Sequence, residues 1–106
     1  LVPGDMGTAS YVMSGPPSGN NRAFSSSCHG AGRAMSRTEA RKKIDGATVK
    51  RELAEKGVAI YETHEKYLSE EAPDAYKDVD EVMRLTEKAG LARPVARLRP
   101  LIVIKG

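Results

Sequence analysis

Glycine and proline punctuate this chain, and the turns they fix or permit set where its elements start and stop. Pro3-Gly4 and Gly7 turn the chain at its start, and residues 15–21, GPPSGNN, are almost pure turn chemistry. Gly, Pro and Asn each fix or permit unusual backbone angles, so this stretch reads as an exposed loop. Ser10–Met13 reads as a strand. Ser36 with Glu39 three residues on is a capping box, starting a helix that runs to about Ile44 and ends at Asp45-Gly46. A second helix is expected from Thr48 to Lys56, stopped by Gly57 as a left-handed cap. Val58–Tyr61 is a strand candidate, and Glu65–Glu71 is ambiguous.

A third helix starts at Asp78, with Val79, Val82, Met83, Thr86 and Ala89 as its buried stripe and Gly90 as its stop. Val95–Ile104 is apolar enough for a strand buried on both faces, although Pro94 and Pro100 interrupt it. The fold class is α+β, with mixed strands and about three helices. A chain of 106 residues without tryptophan makes one domain at most, and its aliphatic core would be thin. It opens on Leu1 directly into a motif and closes on Leu101–Ile104, Lys105 and Gly106, which reads as the end of a larger protein.

The lone Cys28 excludes an internal disulfide and suits a reducing compartment. No apolar run is long enough to span a bilayer. A cytoplasmic setting and no membrane partner are expected. The net charge of +3 fits either an ordinary solvated surface or attraction to polyphosphate or RNA.

The densest chemical signal is His29-Gly30-Ala31-Gly32-Arg33. Glycines after a histidine let backbone N–H groups approach a ligand with no Cβ in the way. A helix start just beyond would favour an anion. Arg33 adds a bidentate donor, and Arg37 would lie one helical turn later on the same face. A neutral imidazole there could attack phosphorus to form a phosphoramidate. The same residues also suit a capped helix whose glycines serve packing. The loop Pro3-Gly4-Asp5-Met6-Gly7-Thr8-Ala9-Ser10-Tyr11 could line a nucleotide or simply turn into a strand. Lys105 could reach a base or phosphate, or act as a solubilising end. His64, the run Arg41-Lys42-Lys43 and Glu70-Glu71 read as surface. Two histidines and one cysteine without ligand spacing make no metal centre.

Taken together, PGDMGTASYV (3–12), SSCHGAGRAMSR (26–37), EEAPDAYKDVDEVM (70–83) and VARLRPLIVIKG (95–106) resemble the C-terminal part of the RtcB family of tRNA-splicing and RNA-repair ligases. The resemblance implies that residues 1–106 are part of a single ligase domain whose metal-binding portion lies upstream. It implies a GTP- and manganese-dependent enzyme joining RNA 3′-phosphate or 2′,3′-cyclic phosphate ends to 5′-hydroxyl ends. His29 would take GMP from GTP. Pro3, Gly4, Asp5, Met6, Ser10 and the backbone of Gly30, Ala31 and Gly32 would contact that GMP. Lys105 would reach the guanine and Tyr76 would pack on it, while Arg33 and Arg37 would hold RNA phosphates. Asp5 stands where the family more often has serine, and a carboxylate there would have to be protonated, metal-bound or turned from phosphate. An archease-like activator is a further partner the resemblance raises. A non-catalytic RNA-binding module and an inactive fragment are the competing readings.

Overall fold

The computed structural model describes residues 1–16 and 23–106; the loop at 15–21 therefore lies largely outside the described residues. The architecture is α+β. In chain order the elements are β1 (Val2–Pro3), β2 (Ser10–Ser14), α1 (Arg37–Lys43), α2 (Gly46–Glu55), β3 (Ala59–Glu62), α3 (Lys66–Glu70), a 3-10 turn (Pro73–Ala75), α4 (Val79–Lys88), β4 (Arg93–Leu98) and β5 (Ile102–Lys105). β1, β2 and β4 form an antiparallel sheet, with Val2 opposite Tyr11 and Ser10 opposite Leu98. β3 and β5 pair in parallel, which sets Glu62 beside Lys105.

Two apolar clusters lie beneath these sheets. Met6, Val49, Leu53, Val58, Leu68 and Ala72 form one, and Ile60 and Val103 of the parallel sheet pack on it. Val2, Ala9, Ala31, Val79 and Met83 form the other, joining the antiparallel sheet to α4. The loop after β1 is held in both, through Met6 in the first and Ala9 in the second. Burial of the Met6 side chain, worth about 1.5–3 kcal/mol, offsets part of the cost of ordering the loop.

Side chains also start and stop the helices as their spacing predicts. Ser36 accepts from the Glu39 N–H, and Asp78 accepts from those of Asp80 and Glu81. Gly57 and Gly90 have φ of +79° and +71°, and the residue after each donates back across the last turn, Val58 to Leu53 and Leu91 to Thr86.

Four expectations change. Asp45-Gly46 does not merely end the first helix: Asp45 accepts from the Thr48 N–H and caps α2, which starts at Gly46. The ambiguous 65–71 segment supplies a fourth helix, α3. Ala89 is exposed rather than buried, because ten residues on from Val79 it lies about 280° around the helix, beyond the half-buried Val82. The terminal apolar run is two strands in two sheets, not one strand buried twice. Pro100 cannot donate to a ladder, and the chain changes sheets there. Each sheet covers one face only, so Ile102 and Ile104 are 63% and 78% exposed while Val103 between them packs inward.

Candidate functional site

The segment from His29 to Met35 is non-helical and bent, and backbone hydrogen bonds tie it down on both sides of Gly32. Ala31 is buried, and its N–H donates to the Pro3 carbonyl at 3.0 Å. Gly32 has φ +78°, a left-handed turn that a side chain resists. Beyond it Arg33 pairs with Tyr76 as an isolated antiparallel bridge, Ala34 donates to Ala75, and Lys77 donates to Gly32. This pairing takes the backbone groups a helix would need, so the helix begins only at Arg37. The expectation that Arg33 and Arg37 share a helical face is thereby corrected: Arg33 lies on a non-helical segment.

The opening loop packs against this segment. Gly4 leaves no room for a side chain, since a Cβ there would stand 2.1 Å from the Ala9 carbonyl oxygen. The Asp5 carboxylate accepts from the Gly7 N–H at 2.8 Å and from the Thr8 hydroxyl at 2.7 Å, closing its own turn. Both its oxygens are thus engaged within the loop, which is how a carboxylate is accommodated at this position.

The two arginines meet nevertheless, on Glu71. Arg33 Nη1 lies 3.5 Å and Arg37 Nε 3.4 Å from Glu71 Oε1. Lys105 Nζ lies 3.7 Å from Oε2, which also accepts from the Tyr76 hydroxyl. Arg33 further donates to the Met35 carbonyl at 3.0 Å and to the Tyr76 hydroxyl at 3.1 Å, and its guanidinium lies 4.9 Å from the Tyr76 ring centroid. Burial alone would raise the Glu71 carboxyl. The Tyr76 hydroxyl and the Lys105, Arg33 and Arg37 charges outweigh it and hold the group below its ordinary value. Burial, with the Glu71 carboxylate alongside, pushes the Tyr76 phenol up, so it remains a donor.

Glu70 and Glu71 are therefore not the surface carboxylates expected. Their side chains are only 14% and 18% exposed, and Glu70 holds Arg41 at 3.4 Å and Arg37 at 4.0 Å. A carboxylate desolvated this far needs cationic partners. The legible signal was Arg33, Arg37 and Arg41 at intervals of four, a basic series that calls for acidic partners.

These segments enclose a cleft of about 560 Å³. Thirteen residues singled out from the sequence line it: Pro3, Gly4, Asp5, Met6, Ser10, His29, Gly30, Ala31, Gly32, Arg33, Arg37, Tyr76 and Lys105, whereas Gly7, Thr8, Ala9 and Tyr11 of the opening loop do not. Sequence reasoning missed Glu71, Ile102, Val103 and Ile104, which line it too. The exposed imidazole, three cations and a strip of aliphatic carbon share one concave surface. Such a surface can hold an anion beside a nucleophile and an apolar ring beside a cation.

A family model described as tRNA-splicing ligase RtcB matches residues 1–106. The chain belongs to the RtcB family. It is 49% identical over 106 residues to the tRNA-splicing ligase RtcB of Methanopyrus kandleri and 48% to that of Archaeoglobus fulgidus. It is also 48% identical to the RNA-splicing ligase RtcB of Mycobacterium tuberculosis. All of this chain is covered in each case, but it spans only 11%, 22% and 24% of those relatives.

Elsewhere in this RtcB segment the polar features are peripheral. His64 is exposed beside Tyr67, with ring centroids 5.9 Å apart. Cys28 is half-buried, its Sγ 3.5 Å from the Thr86 hydroxyl. Arg41, Lys42 and Lys43 form the exposed last turn of α1. Among the described residues no three His, Cys, Asp or Glu side chains gather as a metal site, so they do not by themselves fit manganese. No described helix is long and apolar enough to cross a membrane.

Proposed function

We propose that this chain carries the guanylylation half of an RNA ligase site, in which His29 accepts GMP from GTP. The observation that carries the reading is the convergence of thirteen residues from four separate motifs on one cleft, with the imidazole and three cations on the same surface. The relatives' names, tRNA- and RNA-splicing ligase, supply the substrate class.

A neutral His29 nitrogen attacks the α-phosphorus of GTP. The P–N bond forms, the bond to the departing pyrophosphate breaks, and the imidazole sheds its remaining proton. An oxygen of the RNA 3′-phosphate then attacks the same phosphorus and releases the histidine. The 5′-hydroxyl of the second RNA attacks the activated 3′-phosphate, and GMP leaves. Arg33 and Arg37 offset the phosphate charge, Lys105 and Tyr76 take the guanine, and the backbone from Gly30 to Gly32 with Pro3, Gly4, Asp5, Met6 and Ser10 encloses the nucleotide. Manganese is held, on this reading, by residues outside this chain, and the 106 residues alone are inactive. The whole protein works on RNA in the cytoplasm, with an archease-like activator as a candidate partner.

The test is covalent labelling. A full-length RtcB chain carrying this segment is incubated with manganese and GTP labelled at the α-phosphate, beside its His29→Ala variant. An acid-labile, alkali-stable adduct that the variant loses is expected. A folded wild type that takes no label would overturn the reading. RNA binding with a steep salt dependence, unchanged in His29→Ala, would then favour the non-catalytic module.

A further inference from the structure

Among the described residues Glu71 is the carboxylate that meets Arg33, Arg37, Lys105 and the Tyr76 hydroxyl together, and these four partners are unequally dependent on it. Arg33 keeps its bonds to the Met35 and Glu70 carbonyls and to the Tyr76 hydroxyl if Glu71 is removed. Arg37 keeps Glu70. Lys105 has no other partner among the described residues, and Glu71 is the acceptor of the single proton on the Tyr76 hydroxyl. Lys105 is also the last residue of β5, on a four-carbon stem whose rotamer freedom only a tether limits.

We infer that Glu71 is a positioning residue that sets the Lys105 ammonium and the Tyr76 ring, and thereby selects which nucleobase the cleft accepts. This rests on the reading of the cleft as a GTP site. The carboxylate acts before any ligand arrives: it orders a lysine and an aromatic ring that would otherwise be ordered on binding. Its held-down protonation keeps that tether in place through the neutral range. Incoming phosphate meets arginines that are only partly neutralised, since Arg33, Arg37, Arg41 and Lys105 share the two carboxylates of Glu70 and Glu71.

The experiment measures His29 labelling by GTP and by ATP in a full-length RtcB chain carrying this segment, for the wild type, Glu71→Gln, Lys105→Met and the double variant. Glu71→Gln keeps the shape and loses the charge. It is expected to raise KM for GTP roughly tenfold, with kcat changed far less, and to lower the preference for GTP over ATP. In the Lys105→Met background its effect is expected to be smaller, because only the part carried by Tyr76 remains. An unchanged KM, a fall in kcat alone, or an undiminished effect in the Lys105→Met background overturns the inference while the His29 reading stands. If the wild type takes no label, both fall. Should Glu71→Gln fail to fold, Glu71→Asp, which retracts the charge by one methylene, runs the same cycle with the same outcomes.

Discussion

Replacing Gly4 with alanine separates a steric demand from a conformational one. Gly4 does not have a left-handed backbone, so alanine meets no strain in φ; what it meets is atoms. The new Cβ would stand 2.1 Å from the Ala9 carbonyl oxygen, 3.0 Å from Val79 Cγ1 and 3.1 Å from Val79 Cβ. Relieving the first contact alone requires a movement of roughly 1.4 Å, since unbonded heavy atoms rest near 3.5 Å. Ala9 is 1% exposed and Val79 fully buried, so neither has space to yield into. Overpacking that displaces backbone lies at the upper end of its range, about 3 kcal/mol. Gly57→Ala is the reference, with φ +79° and nothing within 4 Å, and costs only the left-handed strain of about 1 kcal/mol. Urea unfolding followed by far-ultraviolet circular dichroism measures both. A Gly4→Ala variant no less stable than Gly57→Ala would refute the reasoning. The same displacement reaches Pro3 and Asp5, so His29 labelling should fall in Gly4→Ala and persist in Gly57→Ala.

Leu53→Ala removes a side chain 1% exposed in the cluster beneath the parallel sheet, one whose Cδ2 also supports the opening loop at Gly7. A loss of about 2–5 kcal/mol is expected by the same unfolding measurement, and a loss under about 1 kcal/mol would mean that the cluster is not closely packed. Glu71 gives a pH signature. Its carboxyl is held below its ordinary value of 4.5 when folded, so its stabilisation is present above that value and is lost as pH falls through the lower, folded one. The stability difference between wild type and Glu71→Gln should therefore be largest near neutrality and shrink in acid. A difference constant across the acid range would count against the Glu71 network.

The positions of caps and stops were legible locally, because they depend on neighbours a few residues away. Ser36 and Glu39, Asp78 and Glu81, Gly57 and Gly90 each act within one helical turn. Strand Ser10–Met13 and the thin α+β core follow from short-range pattern and composition in the same way. The candidate site residues were legible for another reason: motif resemblance names residues without needing to know where they sit.

Their mutual arrangement was not legible, because it is set by long-range pairing. Whether Arg33 continued a helix depended on Tyr76, 43 positions away, capturing its backbone. Whether Val95–Ile104 stayed one strand depended on which sheets had open edges on either side of Pro100. Glu71 looks like any surface carboxylate beside Glu70 until the fold brings Arg33, Arg37, Tyr76 and Lys105 around it. The sequence by itself determined where most of the helices start and stop, through local sterics and hydrogen bonding, and the motif resemblance named the candidate site residues. Only the tertiary structure decided which charges lie within a few ångströms of one another in partial burial, and it is that proximity that makes a cleft of them.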